Sequence, residues 1–234
     1  MKIATVTVTY NRKELLKQNI EAILNQSFEV DNIIIVDNHS TDNSEKEIKE
    51  RFSNNEKITY IYLNENIGGA GGFYTGCKYA YENAYDWVIL MDDDGKPKNE
   101  HTINNLLETI NKMNKTEKDL VMMNSLVLCN ENELSFSFFS MNDTADMIKE
   151  KANNNILEEY ISPFNGTIIS KALMEKIGYP NREFFIKGDE ADYLLSAKNV
   201  GPYIRTVVES LYYHPRVYEN NLKKIKIINK EYYV

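Results

Sequence analysis

Trp87-Val88-Ile89-Leu90-Met91-Asp92-Asp93-Asp94-Gly95 joins an apolar run to an acidic cluster, and the architecture of the chain turns on it. Five apolar residues are too few for a helix of ordinary length and enough for a buried strand. They run straight into three carboxylates and a glycine, which punctuates the end of the element. Adjacent anions repel one another, so a folded chain keeps them in solvent or beside something positive. The end of a buried strand is a rigid place to hold a divalent metal. The competing reading is a solvated acidic turn, and the rest of the chain decides between the two.

Three similar units precede the triplet. Lys2–Thr9 alternates β-branched residues and predicts a first strand. Tyr10-Asn11-Arg12 follows, with Asn11 as a helix N-cap, and Leu15, Leu16, Ile20, Ile23 and Leu24 mark one face of a helix to about Gln26. Asn32–Val36 is the continuous apolar run of a central strand. It stops at Asp37, and the polar turn Asn38–Asp42 leads into a charged helix to about Phe52. Ile58–Leu63 is a third strand. Asn64-Glu65-Asn66-Ile67-Gly68-Gly69-Ala70-Gly71-Gly72-Phe73 then opens a helix to about Asn83. Amide groups at that helix start can face an anion such as a diphosphate, and a flexible turn is the alternative. The sixth position from Gly69 is Tyr74, so the spacing of a dinucleotide fingerprint is not met.

Strand–helix alternation of this kind predicts an α/β fold, a right-handed and mostly parallel central sheet with helices on both faces. Ligands of such sheets sit at the carboxyl ends of the strands. Asp37, Gly68–Gly72 and Asp92–Asp94 all fall there, which favours the metal over the solvated turn.

Downstream, His101–Met113 reads as helix and Asp119–Leu128 as strand. Asn130–Tyr160 is polar, with a hairpin around Leu134–Phe139 and then a helix, and reads as a substrate loop or a variable excursion. Pro163–Ser170 returns to strand character, and Ser170 caps a short helix ending near Gly178. Glu183-Phe184-Phe185-Ile186-Lys187-Gly188-Asp189-Glu190-Ala191-Asp192-Tyr193 runs an apolar patch into three acids at a helix start. The helix dipole alone would favour acids there; beside a cleft, one of them suits a general base. Ile204–Val208 and Leu211–Tyr213 are final strands. They end at His214-Pro215, and His214 gains interest if it reaches the acidic triplet.

A chain of 234 residues fits one large domain. Its net charge of −8 argues against a nucleic-acid partner. From Pro215 onward five Lys/Arg meet two Glu, so a basic tail follows an acidic body; a solvated helix face or peripheral contact with anionic lipid would use it. Cys77 and Cys129 form no metal-spacing motif and read as buried thiols in a reducing compartment. Met1 leads directly into the first strand pattern, without a secretory signal, and no apolar run reaches the roughly 18–20 residues that span a bilayer. The expected location is cytoplasmic, at the inner face of the membrane where the tail engages it.

Seven motifs in order resemble a family 2 glycosyltransferase of the GT-A fold, in the galactofuranosyl- and rhamnosyltransferase-like branch. They are Thr7–Arg12 (TVTYNR), Ile33–Asp42 (IIIVDNHSTD), Asn64–Phe73 (NENIGGAGGF), Trp87–Asp94 (WVILMDDD), Pro163–Ser170 (PFNGTIIS), Phe184–Tyr193 (FFIKGDEADY) and His214. The resemblance implies a Rossmann-like domain over residues 1–215. Its nucleotide-sugar half would be 1–95 and its acceptor half 96–215, with 216–234 opening a helical extension. It implies that Asp37 binds the donor base near Thr9, Asn11 and Arg12. Asn66, Gly68, Gly69, Gly71 and Gly72 would lie along the diphosphate and sugar. Asp92 and Asp94 would hold Mn²⁺ or Mg²⁺ with His214, and Asp93 would face the donor sugar. Glu190 would be the catalytic base and Asp192 would position acceptor hydroxyls. The implied reaction moves galactofuranose from UDP-galactofuranose, or rhamnose from dTDP-rhamnose, with inversion. The acceptor would be a glycan or lipid-linked glycan of the bacterial cell surface.

Three departures stand out. Glu190 occupies a place where the family usually has Asp, leaving Asp189 as a second candidate base. Tyr193-Leu194-Leu195-Ser196 stands where an Arg is common, and Gly188 replaces a frequent aromatic. Two rival readings are weighed against the transferase. Met91–Gly95 mimics the nucleophile motif of haloacid-dehalogenase-like phosphohydrolases, but that motif normally sits on the first strand and Lys96 stands where Thr or Val follows. A non-catalytic nucleotide-sugar-binding module is the other, and the filled acidic positions count against it.

Overall fold

A computed structural model describes residues 1–113, 120–136, 139, 142–158, 160–201, 203–216, 224–227 and 230–233. The main sheet has nine strands: β1 (Ile3–Thr9), β2 (Asn32–Asp37), β3 (Ile58–Tyr62), β4 (Trp87–Asp92), β5 (Lys96–Pro97), β6 (Val121–Leu128), β7 (Ile156–Glu158), β8 (Thr167–Ser170) and β9 (Tyr203–Tyr213). Their order is β3-β2-β1-β4-β8-β6-β9-β5, with β7 also on β9. The long ladders β3-β2-β1-β4 and β6-β9 are parallel, and β8 joins the two halves antiparallel to both β4 and β6. The α/β expectation holds.

Helices α1 (Lys13–Leu24), α2 (Ser44–Arg51), α3 (Gly68–Glu82) and α4 (Thr102–Lys112) follow the expected alternation. Three more are α5 (Ala145–Lys151), α6 (Lys171–Ile177) and α7 (Asp189–Asn199), with a 3₁₀ turn at Arg182–Phe184. Period-two alternation splits the strands between two cores. Ile33, Ile35, Ile89 and Met91 face Leu16, Ile20, Ile103 and Leu107 of α1 and α4. Ile34, Val36, Val88 and Leu90 face Phe73, Cys77 and Ala80 of α3 and Leu173 of α6. A smaller cluster joins Leu126 and Leu128 to Leu134, Ile148 and Leu157.

Several local expectations change. Asn11 is not the N-cap of α1: it has φ 55° and its side-chain oxygen accepts from the Thr41 amide at 2.7 Å, while Arg12 takes the cap position without a side-chain cap bond. The two final strands are one, β9, whose register against β6 slips between Ser125 and Leu126, as at a β-bulge. Ser170 does cap α6, accepting from the Leu173 amide at 3.1 Å. Of the expected hairpin at Leu134–Phe139, the described residues form bridges at Glu133 and Leu134 alone, and 137–138 lie outside the described residues, as does Asp119. Cys77 is buried as expected, whereas Cys129 is half-exposed. In the basic tail, Lys224–Ile227 and Lys230–Tyr233 pair as an antiparallel hairpin (β10, β11) rather than opening a helix. Among the described residues, no helix is long and apolar enough to cross a membrane.

Candidate active site

The parallel register brings three strand ends together: Thr9 of β1 lies opposite Asp37 of β2, and Val8 opposite Asp92 of β4. Asp92 closes its strand, and the turn beyond it aims Asp94 at His214, which follows the last residue of β9. Asp92, Asp94 and His214 each offer a ligand atom within 4.8 Å of the others. Asp94 Oδ1 lies 3.3 Å from His214 Nε2. The other imidazole nitrogen, Nδ1, is 2.7 Å from the Pro215 carbonyl. A carbonyl only accepts, so Nδ1 carries the hydrogen, and Nε2 is the lone-pair atom of the neutral ring.

Asp93 points elsewhere. It is buried, accepts from the Thr9 hydroxyl at 2.7 Å, and binds Arg12 at 3.1 Å. The same guanidinium nitrogen reaches Asp94 at 2.9 Å. Arg12 and, when protonated, His214 are the local positive charges of the triplet. They hold Asp94 below the usual carboxylate range despite its burial. Asp92 is not so relieved: loss of hydration, then the Asp94 charge, push it up to about 8. His214 is raised, because Asp94 and Asp92 outweigh the opposing effect of its burial. Two carboxylates and an imidazole, one carboxylate still short of positive charge, fit Mn²⁺ or Mg²⁺ as hard oxygen-preferring ions.

Asp37 is wholly buried, and its oxygens accept from the Ser40 amide at 2.8 Å and the Tyr60 hydroxyl at 2.5 Å. Burial and the Asp37 charge raise the Tyr60 phenol, which stays protonated and donates. Thr9 and Arg12 are therefore gathered at Asp93, while Asp37 organises the floor behind them. Asn38, which the sequence marks only as part of a polar turn, ties that floor to α3 by donating to the Gly68 carbonyl at 3.0 Å. Neither Tyr60 nor Asn38 carries a spacing signal that would have singled it out.

The glycines divide into two kinds. Gly72 and Gly76 let α3 press onto β1: a Cβ at Gly72 would lie 2.4 Å from Val8 Cγ1, and at Gly76 2.3 Å from Val6 Cγ1. Gly71 packs on Ile67. Gly68, at φ 77°, accommodates a chain crossing, since a Cβ there would sit 2.0 Å from the Phe185 carbonyl oxygen. That oxygen accepts from the Ala70 amide at 3.0 Å, and the Gly68 amide donates to Asn66 Oδ1 at 2.9 Å. These two amides of the α3 start are engaged by the protein itself. Around Gly69 the space is open. The crossing chain is Arg182–Gly188. Phe185 has φ 64° and ψ −69°, and the Ile186 amide donates to the Phe184 carbonyl at 2.8 Å, a γ-turn of the strained, positive-φ kind.

This strap delivers the acid pair. Asp189 is buried at the first position of α7, and burial followed by the Glu190 charge pushes it up to about 7. Glu190 is half-buried and accepts from the Gly188 amide at 3.2 Å. Its charge also contributes to raising Asp92, so Glu190 lies within electrostatic reach of the triplet. Asp192 is half-exposed one step further along α7.

Fold and site together define a glycosyltransferase of the GT-A type. The profile of glycosyl transferase family 2 matches residues 5–164. The chain belongs to glycosyl transferase family 2. Galactofuranosyltransferase GlfT1 of Mycolicibacterium smegmatis is 26% identical over 223 residues, covering 91% of this chain and 70% of that protein. dTDP-rhamnosyl transferase RfbF of Shigella flexneri is 25% identical over 206 residues, covering 85% and 64%. Among solved structures, S. aureus TarS 1–349 aligns with a TM-score of 0.69 at 18% identity, over 92% of this chain and 60% of that one. GalNAc-T7, crystallised with UDP, GalNAc and Mn²⁺, gives a TM-score of 0.71 at 13% identity, over 92% and 43%. The chain thus spans less than two thirds of these solved chains, and the structural likeness is one of fold.

Proposed function

We propose that this chain is an inverting, metal-dependent galactofuranosyltransferase, using UDP-galactofuranose to extend a cell-surface glycan or lipid-linked glycan in the cytoplasm, at the inner face of the membrane. The observation that carries the reading is the convergence of Asp92, Asp94 and His214, with the Glu190 charge near enough to act on Asp92. The likeness to galactofuranosyltransferases, over 91% of this chain and 70% of those proteins, supports the donor.

Residues 1–95 would bind the nucleotide sugar and 96–215 the acceptor. Asp92, Asp94 and His214 would hold Mn²⁺ or Mg²⁺, which would neutralise charge on the departing nucleotide diphosphate. Asp93, fixed by Thr9 and Arg12, faces the donor sugar. Glu190 accepts the proton of an acceptor hydroxyl as its oxygen bonds to the anomeric carbon from the face opposite the leaving group, and the bond to the nucleotide breaks. Asp192 orients the acceptor.

Glu190→Gln tests the assignment. Turnover of UDP-galactofuranose should fall by about 10²–10⁴-fold, while metal-dependent UDP binding is retained; unchanged turnover would refute Glu190 as the base. A rhamnosyltransferase is the second reading, favoured by the match to a dTDP-rhamnosyl transferase over 206 residues. Thermal shifts with UDP- and dTDP-sugars and Mn²⁺ separate them, because the true donor stabilises the native state in proportion to its affinity.

A further inference from the structure

We propose that the Asn130–Phe136 turn is a clamp that sets His214 for the metal, with Ser135 and Phe136 as positioning residues. The proposal rests on the reading of Asp92, Asp94 and His214 as a cation site. His214 lies just beyond β9, immediately before Pro215. What fixes it comes from the end of β6 and the turn that follows. Its amide donates to the Leu128 carbonyl at 3.0 Å. Its carbonyl accepts from the Ser135 hydroxyl at 2.6 Å, and Ser135 is itself buried, with its amide donating to the Val127 carbonyl at 3.1 Å. The Phe136 ring packs against the imidazole, centroids 5.1 Å apart and planes 39° inclined.

The turn is built to hold that shape. Asn130 Oδ1 accepts from the amides of Asn132 at 3.0 Å and Glu133 at 2.8 Å, the side-chain-closed turn that Asn favours. Leu134 is buried in the small third cluster, and it bridges back to Leu128. Arg216, two residues past the histidine, pairs with Glu133 at 3.4 Å. The clamp thus grips His214 at its carbonyl and on the ring face, while the end of β6 holds its amide. The Pro215 carbonyl fixes the hydrogen on Nδ1 and leaves Nε2 directed at Asp94. Groups that orient a metal-bound histidine commonly contribute 10–100-fold to metal affinity.

The test is direct Mn²⁺ binding by the full chain, followed through the EPR signal of free Mn²⁺ with UDP present, on the wild type and on Ser135→Ala, Ser135→Thr, Phe136→Leu and His214→Ala. Ser135→Ala and Phe136→Leu should weaken Mn²⁺ binding by roughly 10–100-fold. Ser135→Thr, which keeps the hydroxyl, should restore it. Phe136→Leu keeps an apolar side chain, so the ring contact is tested even where Ser135→Ala lowers stability. If His214→Ala weakens Mn²⁺ binding while folded Ser135→Ala and Phe136→Leu bind like the wild type, the clamp is overturned and the metal site stands. If His214→Ala also binds like the wild type, the metal reading of His214 fails and the clamp with it.

Discussion

Arg12 separates two accounts of the cleft. Placed at the donor base, it would matter little to the folded protein without ligand. In the structure its guanidinium bridges Asp93 at 3.1 Å and Asp94 at 2.9 Å, with the Asp93 side chain 5% exposed. Removing one partner of a fully buried pair costs about 3–5 kcal/mol, because the other charge is left without compensation. The Arg12 side chain is 51% exposed, so solvent screening brings the figure down to about 1–2 kcal/mol. Arg12→Met keeps the apolar stem and removes the charge. For a chain of this size about 2–4 °C of Tm accompanies each kcal/mol, so the metal-free variant should melt about 2–8 °C below the wild type. Mn²⁺ should narrow that gap, since a dication replaces the missing positive charge beside the triplet. Thermal denaturation in EDTA and then in MnCl₂ reads both effects. An unchanged Tm in EDTA together with weakened UDP binding would refute this account and return Arg12 to the donor base.

The acid pair predicts a pH dependence. Asp189 is raised to about 7 from an ordinary value of 3.8, so between those pH values the folded chain holds a proton that the unfolded chain has lost. Its contribution to stability therefore declines as pH rises to about 7 and is level above it. Asp189→Asn should flatten urea-unfolding stability over that range and exceed the wild type at pH 8; parallel curves would count against the buried acid. Turnover should rise through about pH 7 as Asp189, next to the base, gives up its proton. The glycines give a contrast within one helix. Gly72→Ala drives a methyl to 2.4 Å from Val8 Cγ1 and should cost about 1–3 kcal/mol in denaturant unfolding. Gly69→Ala meets nothing within 4 Å and should be neutral or stabilise by about 0.4–1 kcal/mol.

Sequence pattern alone carried the sheet, because apolar period and run length are local properties. Ile33–Val36 and Trp87–Met91 could be read as central strands, and the rule that ligands gather at carboxyl ends put Asp37 and Asp92–Asp94 on one edge. Where contacts join distant segments, the pattern was silent or misleading. Asn11 looked like a helix cap, yet its side chain serves Thr41, thirty positions away in sequence. Gly68 stood in a stretch open to either an anion-facing helix start or a flexible turn, and the chain at Phe185 that lies across it carried no signal of doing so. Asn130–Tyr160 read as a substrate loop or a variable excursion, yet within it Ser135 binds the His214 carbonyl across 79 positions. By itself the sequence determined which acids stand at which strand ends. Only tertiary packing decided which of them meet His214, which are neutralised by Arg12, and what closes over the glycine helix. The reason is physical: strand direction follows from nearest-neighbour chemistry, whereas the aim of a side chain across a cleft depends on how separate elements pack.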